Sequence, residues 1–363
     1  MRLGVAAAVV EGVLVRGDVE VAEGRVAGVG LTGGGAGTAV PGLVDLQVNG
    51  YAGVDVLGAE PGELVEMGRA LARDGVLWYQ PTLVTSPPEE TLRALGAIGE
   101  AAGLDGPARI LGVHLEGPFL SHERAGAHPP ALLRAPDADL LEAYLAAGPV
   151  TMVTVAPELD GALELVETLA ARGIVVSLGH TNANAAVARD AFDRGAASVT
   201  HLFNAMRQFH HRDPGIVGAA LTRQDVVVQL IADGVHVDPE AVLAAWHVAR
   251  GRLVLVSDAI AAAGRGNGTT LLGGVAVTVA GGVARTADGE LAGGVSPLSA
   301  GLRLLLELDV SLVEAVDAVT RAPARLLGRT DVGVLAVGAP ADLVVLDDEV
   351  AVARVLVGGA PLE

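Results

Sequence analysis

The stretch PGLVDLQVNGY, residues 41–51, is an apolar run that ends in polar side chains. Gln47 and Asn49 lie two positions apart, so in a β-strand both side chains point to the same face. A strand that holds a metal through the pattern Asp-x-His-x-His carries imidazoles at these positions, whereas amides are poor zinc ligands. The stretch therefore predicts a buried strand whose carboxyl end faces a polar site. It leaves open whether that site holds a metal with fewer ligands.

Seven further apolar runs follow this strand and alternate with stretches of helical period. The eight strand runs are AVPGLVDLQV (39–48), GVLWYQPTLV (75–84), ARILGVHLE (108–116), VTMVTVAP (150–157), GIVVSLGH (173–180), ASVTHLF (197–203), VVVQLIAD (226–233) and RLVLVSDA (252–259). The helix candidates are Pro61–Arg73, Pro88–Ala102, Ala138–Ala147, Leu159–Arg172, Ala183–Arg194 and Pro239–Arg250.

Continuous apolar strands separated by helices predict a parallel sheet covered on both faces. About eight such units are the number that closes a (β/α)8 TIM barrel, so we predict an α/β fold of this type. An open doubly wound sheet is the alternative, but no G-x-G-x-x-G sequence follows the first strand. The positions of the polar residues favour the barrel, because they fall at the carboxyl ends of different strand runs, which converge on one face. These residues are Gln47, Asn49, Glu116, His180, His201 and Asp258.

Both ends of the chain differ from the barrel pattern. Residues 1–39 and 334–363 consist of short β-like pieces with Gly-rich turns. We predict that they pair into one small β-sandwich domain beside a catalytic barrel at residues 40–333. A β-hairpin insertion is expected near residues 269–292, after the last barrel strand.

The composition narrows the possible chemistry. The chain has 363 residues, no cysteine and no lysine, so all 24 basic residues are arginine. This excludes a disulfide, a thiolate nucleophile, a P-loop lysine and a lysine carbamate that bridges two metals. The net charge of −19 argues against nucleic acid as a partner. No apolar run reaches the roughly 18 residues that span a bilayer, so we expect no membrane contact and a cytoplasmic location.

Glu116, His180 and His201 are the candidate metal ligands. A buried carboxylate is costly unless it is paired or bound to a metal, and a lone histidine at such a place is more often a satisfied core residue. Together, however, one glutamate and two histidines at converging strand ends form a known set for catalytic zinc. We therefore predict that these residues bind a metal.

Other polar residues are candidates for the reaction itself. Asp258 is placed to take a proton from a water and return it to a leaving group. His236 is a candidate for stabilising an oxyanion, and His128 lies on the long loop after Glu116, where substrate contacts are common. Asn204 and Arg212 supply an amide and a guanidinium, and arginine suits bidentate phosphate binding. We interpret His122 and His247 as structural, the His210–His211 pair as solvated, and His114 as a neighbour of the site.

Ten blocks of the sequence resemble the N-acetylglucosamine-6-phosphate deacetylase family of the amidohydrolase superfamily. They run in order from residue 41 to residue 347, and HLEGP and HLFNAM are specific to this family. The blocks are PGLVDLQVNG, PTLVTSP, GVHLEGPF, GAHPP, TVAPE, GHTNA, THLFNAM, IADGVHV, VSDAIAAAG and GVLAVGAPADLVVLD. The family fold, a metal-dependent barrel with a small β domain from both chain ends, agrees with the prediction above.

The resemblance implies a role for each matching residue and a homodimeric enzyme in which Arg212 reaches the phosphate of the partner subunit's substrate. It implies metal ligation by Glu116, His180 and His201, acid/base catalysis by Asp258, sugar and acetamido contacts by His236 and His128, and phosphate contacts by Asn204, the Ala205 backbone and Arg212. The implied reaction is hydrolysis of N-acetyl-D-glucosamine 6-phosphate to D-glucosamine 6-phosphate and acetate.

Family members with two metals carry His-x-His on the first strand, whereas those with Gln-x-Asn hold one. The resemblance therefore implies one divalent ion per chain, with zinc preferred over iron(II) or another divalent ion. The chain departs from the family at Gly294, where a serine is usual, with Pro297 soon after it, and at Arg124, where a lysine is common. The first departure concerns the packing of the loop behind the site.

Two other functions remain as alternatives. Another amidohydrolase, such as a cyclic-amide hydrolase or an amino-base deaminase, usually keeps His-x-His, and the first usually needs a carbamylated lysine. A non-catalytic barrel that binds amino-sugar phosphates has no need of a proton shuttle such as Asp258.

Overall fold

The structure is a computed structural model, and it describes residues 1–362. Its strands, in chain order, are β1 (Ala7–Val10), β2 (Val13–Arg16), β3 (Asp18–Ala22), β4 (Arg25–Leu31), β5 (Thr38–Pro41), β6 (Leu43–Val48), β7 (Gly50–Tyr51), β8 (Val54–Asp55), β9 (Val76–Val84), β10 (Arg109–Ile110), β11 (Val113–Glu116), β12 (Val150–Val155), β13 (Val175–Leu178), β14 (Ser198–Val199), β15 (Val227–Leu230), β16 (Leu253–Leu255), β17 (Gly268–Leu272), β18 (Val275–Ala280), β19 (Val283–Thr286), β20 (Leu343–Leu346), β21 (Val352–Val357) and β22 (Ala360–Pro361).

The helices are α1 (Pro61–Arg73), α2 (Pro88–Ala101), α3 (Ala138–Ala147), α4 (Ala162–Ala171), α5 (Ala185–Asp193), α6 (Gly215–Thr222), α7 (Pro239–Val248), α8 (Leu298–Glu307), α9 (Leu312–Ala318) and α10 (Arg321–Leu326). Two short 3-10 helices, His122–Arg124 and Pro130–Leu132, lie in the loop after β11.

The parallel sheet forms a barrel with eight strand positions. The order is β6, β9, β11, β12, β13, β14, β15 and β16, and β10 shares the third position because it also pairs with β9. The last strand returns to the first through a parallel bridge between Val48 and Ala259, where the Asn49 amide also donates to the Ala259 carbonyl at 2.7 Å. The predicted TIM barrel is confirmed, and all eight predicted runs contain its strands.

The strands and helices of the barrel follow the apolar pattern of the sequence. Every residue of β6 and of β9 is buried, as expected for strands covered on both faces. Helix α1 begins with a capping box between Glu60 and Glu63, and it buries Leu64, Met67 and Leu71 against the sheet. Burying each of these side chains stabilises the fold by roughly 1.5–3 kcal/mol as an upper bound.

Strands from both chain ends form the small β-sandwich, as the sequence predicts. One sheet has the order β2, β1, β5, β20, β21 and β22, and β3 and β4 form a second, two-stranded sheet. Between the sheets lies an apolar cluster that includes Val5, Val19, Leu343 and Leu356. This cluster is separate from the larger core that packs around the barrel.

The first strand run divides between the two domains. β5 ends at Pro41 in the sandwich and β6 begins at Leu43 in the barrel. A Cβ at the intervening Gly42 would collide with the Leu77 side chain, so the close passage of the chain requires glycine. We therefore propose that the domain junction lies at Gly42 rather than between residues 39 and 40.

The insertion after the last barrel strand is a three-stranded antiparallel sheet, β17–β18–β19, rather than a simple hairpin. Its inner face carries Leu272, Val277 and Val279, which pack with Val84 and Ile260 of the barrel rim in one apolar cluster. Buried and exposed residues alternate along β18, so the sheet has one buried face and one solvent-exposed face. The insertion thus stands beside the carboxyl ends of the strands.

Among residues 1–362, no helix has both the length and the apolar character needed to cross a membrane.

Candidate metal centre and catalytic pocket

Glu116, His180 and His201 meet at the carboxyl-terminal rim of the barrel. Glu116 is the last residue of β11, and the two histidines each follow a strand, β13 and β14, by two residues. Glu116 Oε1 lies 2.9 Å from His201 Nε2 and 3.2 Å from His180 Nε2, and the two Nε2 atoms are 3.2 Å apart. All three side chains are buried. The structure therefore brings together the three predicted ligands around one point.

The backbone is strained where these side chains leave the strands. His180, His201 and Asp258 have φ angles of +47°, +31° and +49°, a region that residues other than glycine rarely adopt. Such a conformation costs of order 1–3 kcal/mol per residue and persists only where the surroundings impose it. At each of these positions the positive φ angle turns the chain out of the extended conformation of the strand.

The electrostatics of the three residues suit a cation. Burial would raise the pKa of Glu116, but the neighbouring side chains of His180 and His201 outweigh it and hold that pKa well below its usual range. Burial would lower the pKa of His201, yet the Glu116 carboxylate outweighs this effect and raises it. A positive charge beside Glu116 is therefore favoured, and in this structure a proton on His201 can supply it.

The donor set also fits a divalent metal ion. His180 Nδ1 lies 2.9 Å from the Arg124 carbonyl, which can only accept, so Nδ1 carries the proton and the Nε2 lone pair faces the other ligands. A hydrogen bond of this kind on the outer nitrogen is the usual support of a metal-binding histidine. The ligand atoms of Glu116, His180 and His201 lie within 4.8 Å of one another. One carboxylate oxygen and two imidazole nitrogens match a catalytic zinc set.

The side-chain amides of Gln47 and Asn49, at the end of the first barrel strand β6, donate hydrogen bonds to the site. Gln47 Nε2 donates to Glu116 Oε1 at 3.0 Å, and Asn49 Nδ2 donates to Asp258 Oδ1 at 2.7 Å. Both side chains are buried. Gln47 thus orients one metal-ligand candidate and Asn49 orients the acid/base candidate.

Asp258 is a buried carboxylate with a perturbed pKa. Burial and the charge of Glu116 raise its pKa to about 6, while the charge of His201 and the Asn49 hydrogen bond act in the other direction. A carboxyl group with this pKa is largely ionised at neutral pH but accepts and returns a proton readily. That is the property a general base and acid needs.

These residues open into a cavity of about 650 Å³. His128, His236, Asn204 and Ala205 line it together with the metal-ligand candidates and Asp258. Ala205 has a φ of +47°, so the backbone of this loop is also in the left-handed region. Arg212 is the one predicted substrate contact that does not line the cavity of its own chain. It is exposed, and its guanidinium bonds to the neighbouring His211 at 2.8 Å.

The structure adds residues that the sequence did not single out. Thr85 contacts His128 and Asp233 contacts His236, and both had a signal in the sequence, since Thr85 directly follows β9 and Asp233 ends the strand run 226–233. Arg285 and Glu290, from the inserted sheet and the loop after it, also line the cavity. Reasoning from strand ends could not find them, because they lie outside the barrel strands.

The departure from the family at Gly294 has a local explanation. The Gly294 amide donates to the Asp258 carbonyl at 2.8 Å, and its carbonyl accepts from the Ile260 amide at 3.0 Å. A Cβ at Gly294 would collide with the Ser257 carbonyl, so the backbone of this chain packs closer than a serine would permit.

His114, two residues before Glu116, bonds to Thr154 in the barrel interior and is a neighbour of the site, as predicted.

The barrel and its buried Glu-His-His set agree with the protein family that the sequence matches. The model of the amidohydrolase family matches residues 38–362. The chain therefore belongs to the amidohydrolase family.

Within that family the chain is similar to deacetylases of N-acetylated sugar phosphates. It is 43% identical to the N-acetylglucosamine-6-phosphate deacetylase of Homo sapiens over 334 residues, which cover 88% of this chain and 82% of the relative. It is 38% identical to the N-acetylgalactosamine-6-phosphate deacetylase of Escherichia coli O157:H7, over 88% of this chain and 86% of the relative.

A solved structure agrees over the whole fold. An aspartate-to-alanine mutant of the N-acetyl-D-glucosamine-6-phosphate deacetylase of Mycobacterium smegmatis, in complex with N-acetyl-D-glucosamine-6-phosphate, superposes with a TM-score of 0.94 at 38% identity. The match covers 100% of this chain and 99% of the other. The resemblance found in the sequence is thereby confirmed.

Proposed function

We propose that this chain hydrolyses N-acetyl-D-glucosamine 6-phosphate to D-glucosamine 6-phosphate and acetate. The observation that carries the proposal is the convergence of Glu116, His180 and His201 in one cavity with the pKa-shifted Asp258. The similarity to named deacetylases over most of the chain supports the substrate class.

Glu116, His180 and His201 would hold one divalent ion, with zinc as the first choice. When bound, the ion would polarise the amide carbonyl and make a water more acidic. Gln47 and Asn49 act as donors to Glu116 and Asp258, so they take no part as ligands in this proposal.

Asp258 moves the proton. Its ionised carboxylate takes a proton from the attacking water as the new carbon–oxygen bond forms at the acetyl carbon. It then returns that proton to the departing nitrogen as the carbon–nitrogen bond breaks, which releases acetate and the amine. Asn49 occupies Oδ1, so we assign the proton transfer to Oδ2.

The two cavity histidines position the substrate. His128 Nε2 lies 4.0 Å from Glu116 Oε2, close to where the acetyl carbonyl must approach the ligand set. We therefore assign the stabilisation of the oxyanion to His128, whereas the sequence suggested His236 for this role. His236 is assigned to the sugar.

Asn204 and the Ala205 backbone bind the phosphate in this proposal, together with Arg212 from a second copy of the chain. The exposure of Arg212 outside its own cavity supports this arrangement, because a guanidinium suited to phosphate is then available to a partner. A homodimer would accordingly complete two sites at once.

The test is a zinc titration of metal-stripped protein that records acetate release from N-acetyl-D-glucosamine 6-phosphate. A plateau near one equivalent per chain is the expected result, and a plateau near two would contradict the assignment of Gln47 and Asn49. N-acetyl-D-galactosamine 6-phosphate serves as the matched substrate, given the E. coli relative. If neither substrate releases acetate with zinc or iron(II), the proposed function is wrong.

A further inference from the structure

His128 and His236 face the same cavity, but residues of opposite hydrogen-bonding character lie behind them. In a neutral imidazole one nitrogen carries a proton and the other a lone pair, and the outer partner selects which. Thr85 lies behind His128, and Asp233 lies behind His236. The two rings should therefore present different atoms to a substrate.

Thr85 presents donors to His128. Its backbone N–H donates to His128 Nδ1 at 3.2 Å, and its hydroxyl lies 2.9 Å from the same nitrogen. A backbone N–H cannot accept, so Nδ1 must carry the lone pair and Nε2 the proton. A lone pair on Nδ1 leaves the ring with a single proton, so the ring is neutral. A Cβ on Gly117 would collide with the Thr85 hydroxyl, so this glycine makes room for the contact.

Asp233 presents an acceptor to His236. Its Oδ2 lies 2.8 Å from His236 Nδ1, and its Oδ1 accepts from the backbone amides of Val235 and His236 at 2.9 and 2.8 Å. Burial would raise the pKa of Asp233, but these hydrogen bonds outweigh it and lower that pKa, so the carboxylate is ionised. Nδ1 therefore carries the proton.

The inner nitrogen of His236 is left with its lone pair. Within residues 1–362, Nε2 is buried and has no hydrogen-bond partner. A buried N–H without an acceptor, on a charged ring, would cost more than a buried lone pair. The ring is thus set to accept a hydrogen bond from a substrate.

We propose that Thr85 and Asp233 are positioning residues that hold the two cavity histidines in opposite tautomers. His128 then offers an N–H to the acetyl oxygen, where negative charge develops, and His236 offers a lone pair to a hydrogen-bond donor of the sugar. The roles given to substrate groups rest on the proposed deacetylase function, whereas the tautomers themselves do not.

The first experiment is nitrogen-15 NMR of the imidazoles in the zinc-loaded protein, with His128→Gln and His236→Gln variants to assign the signals. The expected result is a protonated Nε2 on His128 and a protonated Nδ1 on His236. A proton on His128 Nδ1, or protons on both nitrogens of His236, would overturn the proposal. This readout does not depend on activity, so it separates the proposal from the deacetylase function.

Asp233→Asn is the sharpest variant. Two backbone amides still require an oxygen at the Oδ1 position, so the new amide group must turn its NH2 toward His236 Nδ1. An NH2 can only donate, which forces the His236 proton to Nε2. We expect the NMR spectrum to show the His236 proton on Nε2 instead of Nδ1. KM should rise about tenfold with kcat little changed, since one hydrogen bond is lost equally from the ground and transition states. Reversed signals with unchanged KM would remove His236 from the sugar contacts.

Thr85→Val and Thr85→Ser form a matched pair. Valine removes the hydroxyl at nearly constant shape but keeps the backbone N–H, so the His128 proton should stay on Nε2 in the NMR spectrum. Losing one of the two contacts that hold the ring should lower kcat roughly tenfold at unchanged KM and zinc content, because His128 acts on charge that appears in the transition state. Serine keeps the hydroxyl and should restore kcat to within about twofold. A loss of kcat that serine fails to restore, or a joint loss of zinc, would indicate a merely structural role for Thr85.

Discussion

The rim at the carboxyl ends of the barrel strands differs from the small β-sandwich in what it buries. The rim buries Glu116, His201 and Asp258, with Glu116 Oε1 2.9 Å from His201 Nε2 and with positive φ angles at His201 and Asp258. The sandwich buries an aliphatic cluster that includes Val19 and Leu343, and the strand of Leu343, β20, pairs with β5 in regular register.

This difference shows where the molecule gains stability and where it loses it. Burying aliphatic side chains stabilises a fold, whereas burying a carboxylate next to another carboxylate opposes folding. The raised pKa of Asp258 is a direct sign of this opposition. The rim is therefore held in place by the rest of the barrel, and we expect its variants to lose activity without losing stability. Variants of the sandwich should do the reverse.

Asp258→Asn tests the rim and should have the largest effect. An amide cannot shuttle a proton, so we expect kcat to fall by roughly 10³-fold, the usual size of general acid/base catalysis. The measurement is acetate release by the zinc-saturated enzyme, with KM and zinc content as controls. Near-normal turnover would remove Asp258 from the mechanism.

The same variant also tests the stability half of the comparison. The folded-state pKa of Asp258 is about 6, above its ordinary value of 3.8, so its contribution to stability is lost as pH rises between these values. At neutral pH the ionised group thus opposes folding. The melting temperature of the variant should therefore equal or exceed that of the wild type, and a marked decrease would contradict the comparison.

Leu343→Ala tests the sandwich. Leu343 is fully buried in β20, so truncation leaves a cavity and should lower the free energy of unfolding by about 2–5 kcal/mol. We expect kcat and KM to stay unchanged at a temperature where the variant remains folded. Leu14→Ala is the matched control, because Leu14 is 45% exposed in the edge strand β2. A large loss of kcat in the Leu343 variant would show that the two regions are coupled.

The sequence predicted most of the barrel because its strands are apolar along their whole length. All eight runs became strand positions, and the helices Pro61–Arg73 and Ala138–Ala147 have the predicted bounds. Helix α6, Gly215–Thr222, was missed because six of its eight residues are buried, which removes the polar face that gives a helix its period. A buried helix and a short apolar strand look alike in a sequence.

The candidate site was predictable wherever a polar residue ended a strand, as with Glu116 and Asp258. Thr85 and Asp233 also follow strand runs, but that position did not reveal their role, because their importance lies in which nitrogen of a histidine they face. That information depends on distances between segments far apart in the sequence, such as Thr85 and His128. Arg212 illustrates a second limit, since the substrate that it is proposed to bind belongs to another chain.

Gln47→Ala tests whether Gln47 orients the metal-ligand candidate Glu116 without itself binding the metal. Removing the donor at 3.0 Å from Glu116 Oε1 should weaken zinc binding by roughly 10–100-fold, as is typical of residues that orient a ligand. The measurement is competition for zinc against a chelator of known affinity. At saturating zinc, kcat should recover to near the wild-type value. Unchanged zinc affinity would show that Gln47 only fills space.

The smallest expected effect concerns the acid limb of the pH profile. Asp258 must be ionised to act as a base, so kcat/KM should fall roughly tenfold for each pH unit below its pKa of about 6. Asn49 donates to Oδ1 and thereby stabilises the ionised form. Asn49→Ala should therefore move the acid limb to higher pH while leaving the plateau within about threefold of the wild type. A shift to lower pH, or none, would mean that another group controls the limb and that Asn49 supports the loop instead of the proton shuttle.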